Sequence, residues 1–110
     1  MDINRADREH AAKVVNFFWG RGTATPETVN ESVIRVAVDA LDQANVCSDS
    51  MDLVPRPAGI VRPDPKWAMK QIRKVAQRIN EGNTSVYHIC KVRIESVYKT
   101  EIRMALEGLI

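Results

Sequence analysis

The segment from Asp64 to Asn83 constrains this chain more than any other, because its apolar residues recur at the spacing of an α-helix. Asp64 and Pro65 form a start signal, since aspartate accepts hydrogen bonds from free backbone N–H groups and proline fits the first helical turn. The inward positions are Ala68, Ile72, Val75, Ala76 and Ile79. The opposite side carries Lys66, Lys70, Arg73, Lys74 and Gln77. We therefore predict a basic amphipathic helix that ends at Glu81-Gly82-Asn83.

Two further helices are predicted in the first half of the chain. The first runs from near Asn4 to Gly20, with a buried face at i, i+3, i+4 and i+7 formed by Ala11, Val14, Val15 and Phe18. The second has a start signal at Thr25, Pro26 and Glu27, which suit the cap, the first turn and the positive end of the helix dipole. Its apolar face is formed by Val29, Val33, Val36, Ala37, Ala40, Leu41 and Ala44.

The second predicted helix carries an additional apolar stripe at Ile34 and Val38. A helix that is apolar on most of its circumference lies either at the centre of a fold or in an interface. Together with Phe17 and Trp19, these residues predict either a self-association surface, giving a homodimer, or burial inside the monomer. The alternation of Ile34, Val36 and Val38 also fits a strand, and the start signal favours the helix.

A chain of 110 residues has room for one domain with a modest core. We predict an all-α fold, a compact bundle of four to five helices arranged as two helix pairs joined by a connector. Residues 1–46 would form the N-terminal helix pair and residues 65–110 the basic C-terminal helical part. Residues 47–64 would form a stiff connector, because the Val54-Pro55-Arg56-Pro57 segment favours an extended path. A short β element remains open for residues 86–94, whose apolar residues fit either a strand or a helix.

The two halves of the chain differ in charge. Residues 1–59 carry six basic and nine acidic side chains, whereas residues 60–110 carry ten basic and five acidic ones. Such an imbalance indicates a polyanionic partner for the second half. The alternative is that these charges only solvate helical surfaces.

The sequence contains no recognisable catalytic motif. Neither of its two histidines, His10 and His88, belongs to a nucleophile–base signature, and its five glycines form no phosphate-binding loop. The pair His88 and Cys90 falls short of the paired, closely spaced ligands of structural zinc sites. We therefore predict a non-enzymatic protein without metal, cofactor or small-molecule substrate.

The cysteines and the apolar runs indicate the cellular compartment. Cys47 and Cys90 are the only cysteines, far fewer than in the disulfide scaffolds of small secreted domains, so we predict two reduced thiols. No apolar run approaches the roughly 18–20 residues that cross a bilayer, and no signal-peptide pattern is present. The prediction is a cytoplasmic protein that does not contact the membrane.

The last third of the chain contains a pattern of inward apolar residues around a basic centre. The apolar positions are Val86, Cys90, Val92 and Val97, and Lys91 lies between them. This segment resembles the helix-turn-helix unit of DNA-binding domains, with Lys91 at the turn position that is usually glycine. The closing Leu106-Glu107-Gly108-Leu109-Ile110 resembles the end of the recognition helix in winged-helix members. The resemblance implies that the second helix lies in the major groove.

That resemblance also implies roles for individual residues. Those expected to face the groove are Ser96, Lys99, Thr100 and Arg103. Lys91 and Arg93 would lie near the phosphates, where positive charge supplies affinity without sequence information.

Two functions from different classes follow from the sequence. The first is a small helix-turn-helix-type DNA-binding regulator whose basic half contacts the duplex. The alternative is a protein-binding adaptor or inhibitor, of the kind that phages and mobile elements encode, whose basic surface between Lys66 and Gln77 engages an acidic protein. The contact residues predicted for either partner are Lys66, Lys70, Arg73, Lys74, Lys91, Arg93, Ser96, Lys99, Thr100 and Arg103.

Overall fold

Five α-helices make up the fold in the computed structural model of this protein, which describes residues 4–20, 24–44 and 65–109, apart from the side chains at positions 65, 86 and 89. The helices are α1 (Arg5–Phe18), α2 (Glu31–Ala44), α3 (Pro65–Asn80), α4 (Ser85–Ser96) and α5 (Lys99–Leu106). The described ranges contain no strand, and none of their helices is both long and apolar enough to cross a membrane. The predicted all-α bundle of four to five helices is confirmed. The predicted connector, 47–64, lies outside the described residues.

Helix α1 begins and ends close to where the sequence predicts. The side-chain oxygen of Asn4 accepts a hydrogen bond from the backbone N–H of Asp7 at 2.8 Å, which caps the helix. At the other end, the N–H groups of Trp19 and Gly20 both donate to the carbonyl of Val15 at 2.8 Å. The buried face includes all four predicted positions, Ala11, Val14, Val15 and Phe18.

Helix α2 begins later than the predicted start at Thr25, Pro26 and Glu27, so that prediction is wrong. Thr25 and Thr28 instead close a separate turn, in which the backbone N–H of Thr25 donates to the Thr28 hydroxyl at 2.9 Å. The helix starts at Glu31, after Asn30, whose side-chain oxygen accepts a hydrogen bond from the N–H of Val33 at 2.9 Å.

The segment before α2 is held against α1 by side chains of that helix. Asn16 pairs with the backbone of Ala24, accepting from its N–H at 2.7 Å and donating to its carbonyl at 2.8 Å. Arg8 donates to the carbonyl of Val29 at 2.6 Å. These contacts use backbone groups between residues 24 and 29 for attachment to α1, which explains the later start of α2.

Helix α3 occupies the predicted segment and ends at the predicted glycine. Gly82 has φ +77°, a left-handed conformation that glycine adopts without steric cost. The N–H of Gly82 donates to the carbonyl of Ile79 at 3.2 Å, and the N–H of Asn83 donates to that of Arg78 at 3.0 Å. This pair of bonds is the Schellman motif of helix C-termini.

Residues 86–94 are helical, so the alternative of a β element is excluded. They lie within α4, which buries Tyr87, Cys90 and Ile94 on one face. The chain turns at Val97 and Tyr98, where Tyr98 has φ +54°, and then enters α5. Lys91, the turn position of the helix-turn-helix resemblance, lies inside α4. The chain therefore does not turn where the resemblance places the turn.

One hydrophobic core connects the helices. Helices α3 and α4 each pack against both α1 and α2, and α5 packs against α2. Ile34 and Val38 lie in this core and are 0% exposed. Their predicted role in self-association is therefore wrong, and the alternative of burial inside the monomer holds for both. The reason is the central position of α2, which contacts α3, α4 and α5.

Cys90 differs from the prediction of a reduced thiol. It is 6% exposed and disulfide-bonded. Cys47, the only other cysteine of the sequence, lies outside the described residues. The prediction of a free thiol is therefore wrong for Cys90, and the prediction of a cytoplasmic location loses the support that it drew from the cysteines.

Candidate functional site

The outer side of α3 presents three lysines, each separated from the next by about one helical turn. They are Lys66, Lys70 and Lys74, which we call the lysine row. All three are exposed, and none forms an ion pair with another residue that the structure describes. Since a helix rises about 1.5 Å per residue, the row spreads three positive charges over about 12 Å. No acidic residue occurs in α3, so the helix itself does not neutralise them.

The surroundings of the lysine row on α3 are polar. The remaining exposed residues of this helix are Arg73, Gln77 and Asn80. The large apolar side chains that the described residues expose are Val92 and Leu109, and neither belongs to α3. This surface therefore offers charge and hydrogen-bond donors without an apolar patch.

Arg73, a predicted contact residue, is held by a carboxylate of α1. Its Nε and Nη2 atoms donate to the two oxygens of Asp7 at 3.1 and 3.2 Å. The Arg73 side chain remains 57% exposed, whereas that of Asp7 is 9% exposed. Arg73 therefore fastens α3 to α1 and contributes less free charge to the surface than the neighbouring lysines.

The second set of predicted contact residues lies on α4 and α5, where charges of both signs alternate. Arg93, Lys99 and Arg103 are exposed, as are Ser96 and Thr100. Lys99 lies 3.9 Å from the Glu95 carboxylate, and the Ser96 hydroxyl donates to the carbonyl of Arg93 at 2.8 Å. The exposed acids on the same region are Glu101 and Glu107. The surface of α5 is consequently close to neutral.

Lys91 is engaged with an aromatic ring of α1. Its ammonium nitrogen lies 5.2 Å from the ring centre of Phe17, which corresponds to a cation–π contact. The ring of His88 lies at the same distance from Phe17, with the two ring centres 5.2 Å apart. Phe17 is thereby half-buried under α4, which leaves little of its ring for the predicted self-association.

Trp19 closes the end of α1 against α4. Its indole N–H is shared by the carbonyls of Ile94 and Val97 at 2.9 and 3.1 Å. Ile94 lies in the last turn of α4 and Val97 directly follows the helix, so the Trp19 indole caps the C-terminal end of α4. The ring remains half-buried, with one side facing a groove.

This groove, which we call the Trp19 groove, lies between the end of α1 and α5. It has a volume of about 440 Å³. Its main lining residues are Trp19, Gly20, Lys99, Ile102, Arg103 and Leu106. Apolar walls and two cations thus meet in one concavity.

The structure separates the predicted contact residues into two sets and adds a site that the sequence did not indicate. The lysine row and Arg73 lie on α3, which packs against α1 and α2, and the other set lies on α4 and α5. The sequence predicted self-association for Trp19 and partner contacts for Lys99 and Arg103. It gave no signal that they line one groove, because their juxtaposition depends on how α5 packs.

Comparisons with other proteins do not assign a function. The described residues contain no group of three or more His, Cys, Asp or Glu side chains that could hold a metal ion. No family model matches this chain, and neither a curated protein nor a solved structure shows significant similarity to it.

Proposed function

We propose that this protein binds double-stranded DNA through the lysine row of α3. The observation that carries the proposal is the exposure of Lys66, Lys70 and Lys74 without ion-pair partners among the described residues. Lysines that neutralise phosphates release condensed counterions, and this release supplies most of the affinity of non-specific DNA binding.

The polar surroundings of the row favour nucleic acid over the alternative partner, an acidic protein. Protein interfaces generally have a dehydrated centre enriched in aromatic side chains and methionine, surrounded by a polar rim. The exposed residues of α3 provide no such centre, since they are all polar. Phosphate contacts require only charge and hydrogen-bond donors, which this helix provides.

The charges also favour α3 over α5, the helix to which the helix-turn-helix resemblance assigns most of the major-groove contacts. The cations Lys99 and Arg103 are accompanied by the exposed carboxylates of Glu101 and Glu107. Carboxylates repel phosphates, so α5 gains little from approaching a duplex. The regulatory role, the homodimer and the cytoplasmic location stay predictions of the sequence.

Two triple variants with the same charge change test the proposal. One replaces the lysine row (Lys66→Gln, Lys70→Gln, Lys74→Gln), and the control replaces the cations of α4 and α5 (Arg93→Gln, Lys99→Gln, Arg103→Gln). Binding to a fluorescent duplex is measured by anisotropy at several salt concentrations. Three phosphate contacts give a slope of log K against log salt of about −2.7, so wild-type affinity should fall roughly forty-fold between about 50 and 200 mM salt.

The two variants should behave differently. The lysine-row variant should lose most of its affinity for the duplex and most of the salt dependence of that affinity. The control should keep both, with only the small decrease in affinity that a lower net charge causes. Circular dichroism verifies that both variants fold, which is expected because all six residues are exposed. Wild-type protein that does not bind the duplex at low salt would refute the function. Loss of binding in the control alone would indicate that the DNA contacts lie on α4 and α5 and not on α3.

A further inference from the structure

We propose that the Trp19 groove binds a small amphipathic anion, with a planar apolar body and one carboxylate. The proposal does not depend on DNA binding, since the groove shares no residue with the lysine row. Its volume of about 440 Å³ lies within the range of small-molecule sites, roughly 300–1,000 Å³. A single side chain of a partner protein would leave much of this space empty.

The apolar wall of the groove is formed by fixed groups. The Trp19 ring cannot swing away easily, because its N–H is already bonded to two backbone carbonyls of the α4 terminus. Ile102 is 2% exposed and forms part of the core, and Leu106 packs beside it. A preformed wall of this kind binds a planar apolar ligand at little cost in side-chain entropy.

The cations of the groove determine the charge of its ligand. Arg103 forms no ion pair with the residues that the structure describes, and its guanidinium can bind a carboxylate through two parallel hydrogen bonds. Lys99 lies 3.9 Å from Glu95, both of them partly exposed, a contact weak enough to be exchanged for a ligand. Glu107 also lines the groove, so its lining side chains carry two cations and one anion. A monoanion that replaces Glu95 as the partner of Lys99 therefore meets a net charge of +1 in the groove, although the surface of α4 and α5 as a whole is close to neutral.

Nuclear magnetic resonance titration of the ¹⁵N-labelled protein tests the site with naphthalene-2-carboxylate as the probe. The two indole N–H signals are assigned with Trp19→Phe and Trp67→Phe, each of which removes one signal. Two controls are added: the neutral naphthalene-2-carboxamide, which keeps the apolar body, and acetate, which keeps only the charge. We expect the carboxylate probe to shift the Trp19 indole and the backbone amides of residues 99–106, the carboxamide to bind more weakly, and acetate to cause no comparable shift.

The role of the cation is tested with Arg103→Gln and a matched control, Arg93→Gln, an exposed arginine on α4 that does not line the groove. Loss of a charge-assisted hydrogen bond corresponds to about a tenfold weaker affinity. We therefore expect Arg103→Gln to weaken the carboxylate probe about tenfold, to leave the carboxamide unchanged, and Arg93→Gln to affect neither. The proposal is overturned if millimolar probe leaves the Trp19 signal unshifted or shifts the lysine row instead. Equal weakening of both naphthalene probes by Arg103→Gln also overturns it.

Discussion

The ion pair between Arg73 and Asp7 should show a marked asymmetry when its partners are removed one at a time. The carboxylate of Asp7 is nearly buried, whereas more than half of the Arg73 side chain is exposed. The variants are Arg73→Met, which keeps much of the apolar stem, and Asp7→Asn, which keeps the shape. In Arg73→Met the nearly buried carboxylate of Asp7 loses its partner. In Asp7→Asn the exposed guanidinium of Arg73 is solvated by water instead.

The magnitudes follow from the geometry. Two opposite charges 3.1 Å apart, the distance between Arg73 and Asp7, attract each other by about 5 kcal/mol at an effective dielectric constant of roughly 20. Solvent around the exposed guanidinium reduces this value, so we expect Arg73→Met to lower the free energy of unfolding by about 2–3 kcal/mol. Asp7→Asn should cost about 1 kcal/mol, chiefly through the lost negative charge in the first turn of α1.

The assay is urea unfolding followed by far-ultraviolet circular dichroism, with both single variants and the double variant. The double variant should be more stable than Arg73→Met, because it no longer contains a buried carboxylate without a partner. Equal costs for the two single changes, or a larger cost for Asp7→Asn, would refute the reasoning. If the free energy of unfolding depends on urea concentration with the same slope in all variants, they share one unfolding transition.

Two further predictions concern pH and redox conditions. The pKa of Glu27 lies below its ordinary value of 4.5, first because a backbone hydrogen bond within the residue stabilises the carboxylate and second because Arg5 donates to it at 2.7 Å. Its contribution to stability is fully present above the ordinary pKa and lost as the pH falls through the lowered value. Urea midpoints of wild type and Glu27→Gln should therefore differ at neutral pH and converge in acid; a difference independent of pH would contradict this. Because Cys90 is disulfide-bonded, a reductant should lower the free energy of unfolding of the wild type by about 2–4 kcal/mol. The same reductant should leave the Cys90→Ser variant unaffected. A urea midpoint of the wild type that does not change with reductant would contradict the bond.

The helices that the sequence predicted well are those whose signals are local. α3 carries its own apolar period and a terminal glycine, and α1 carries its cap at Asn4. The start of α2 was missed although Thr25 and Pro26 form a strong signal. The competing interactions come from Asn16 and Arg8 of α1, and no local pattern reveals them.

The candidate site likewise contains some features that local sequence patterns predict and others that depend on tertiary packing. Exposure of the lysine row follows directly from amphipathic spacing, because burial of one face of α3 leaves the opposite face in solvent. The partnership of Arg73 with Asp7, residues separated by 66 positions, depends on the alignment of α1 with α3. The Trp19 groove depends likewise on α5 lying beside the end of α1. Contacts of this kind are products of tertiary packing and leave no trace in periodicity.

The Arg73–Asp7 pair also bears on how α3 presents its charges. A helix that binds a partner through three exposed lysines needs a fixed position on the rest of the molecule. If binding had to order the helix first, the entropy cost of that ordering would weaken the affinity. Asp7 fixes α3 to α1 through Arg73, and Lys66, Lys70 and Lys74 remain exposed. The variant Arg73→Met should therefore affect stability far more than the salt dependence of DNA binding, and the lysine-row variant should do the opposite. A common loss of both properties in either variant would mean that the two roles of α3 are not separable.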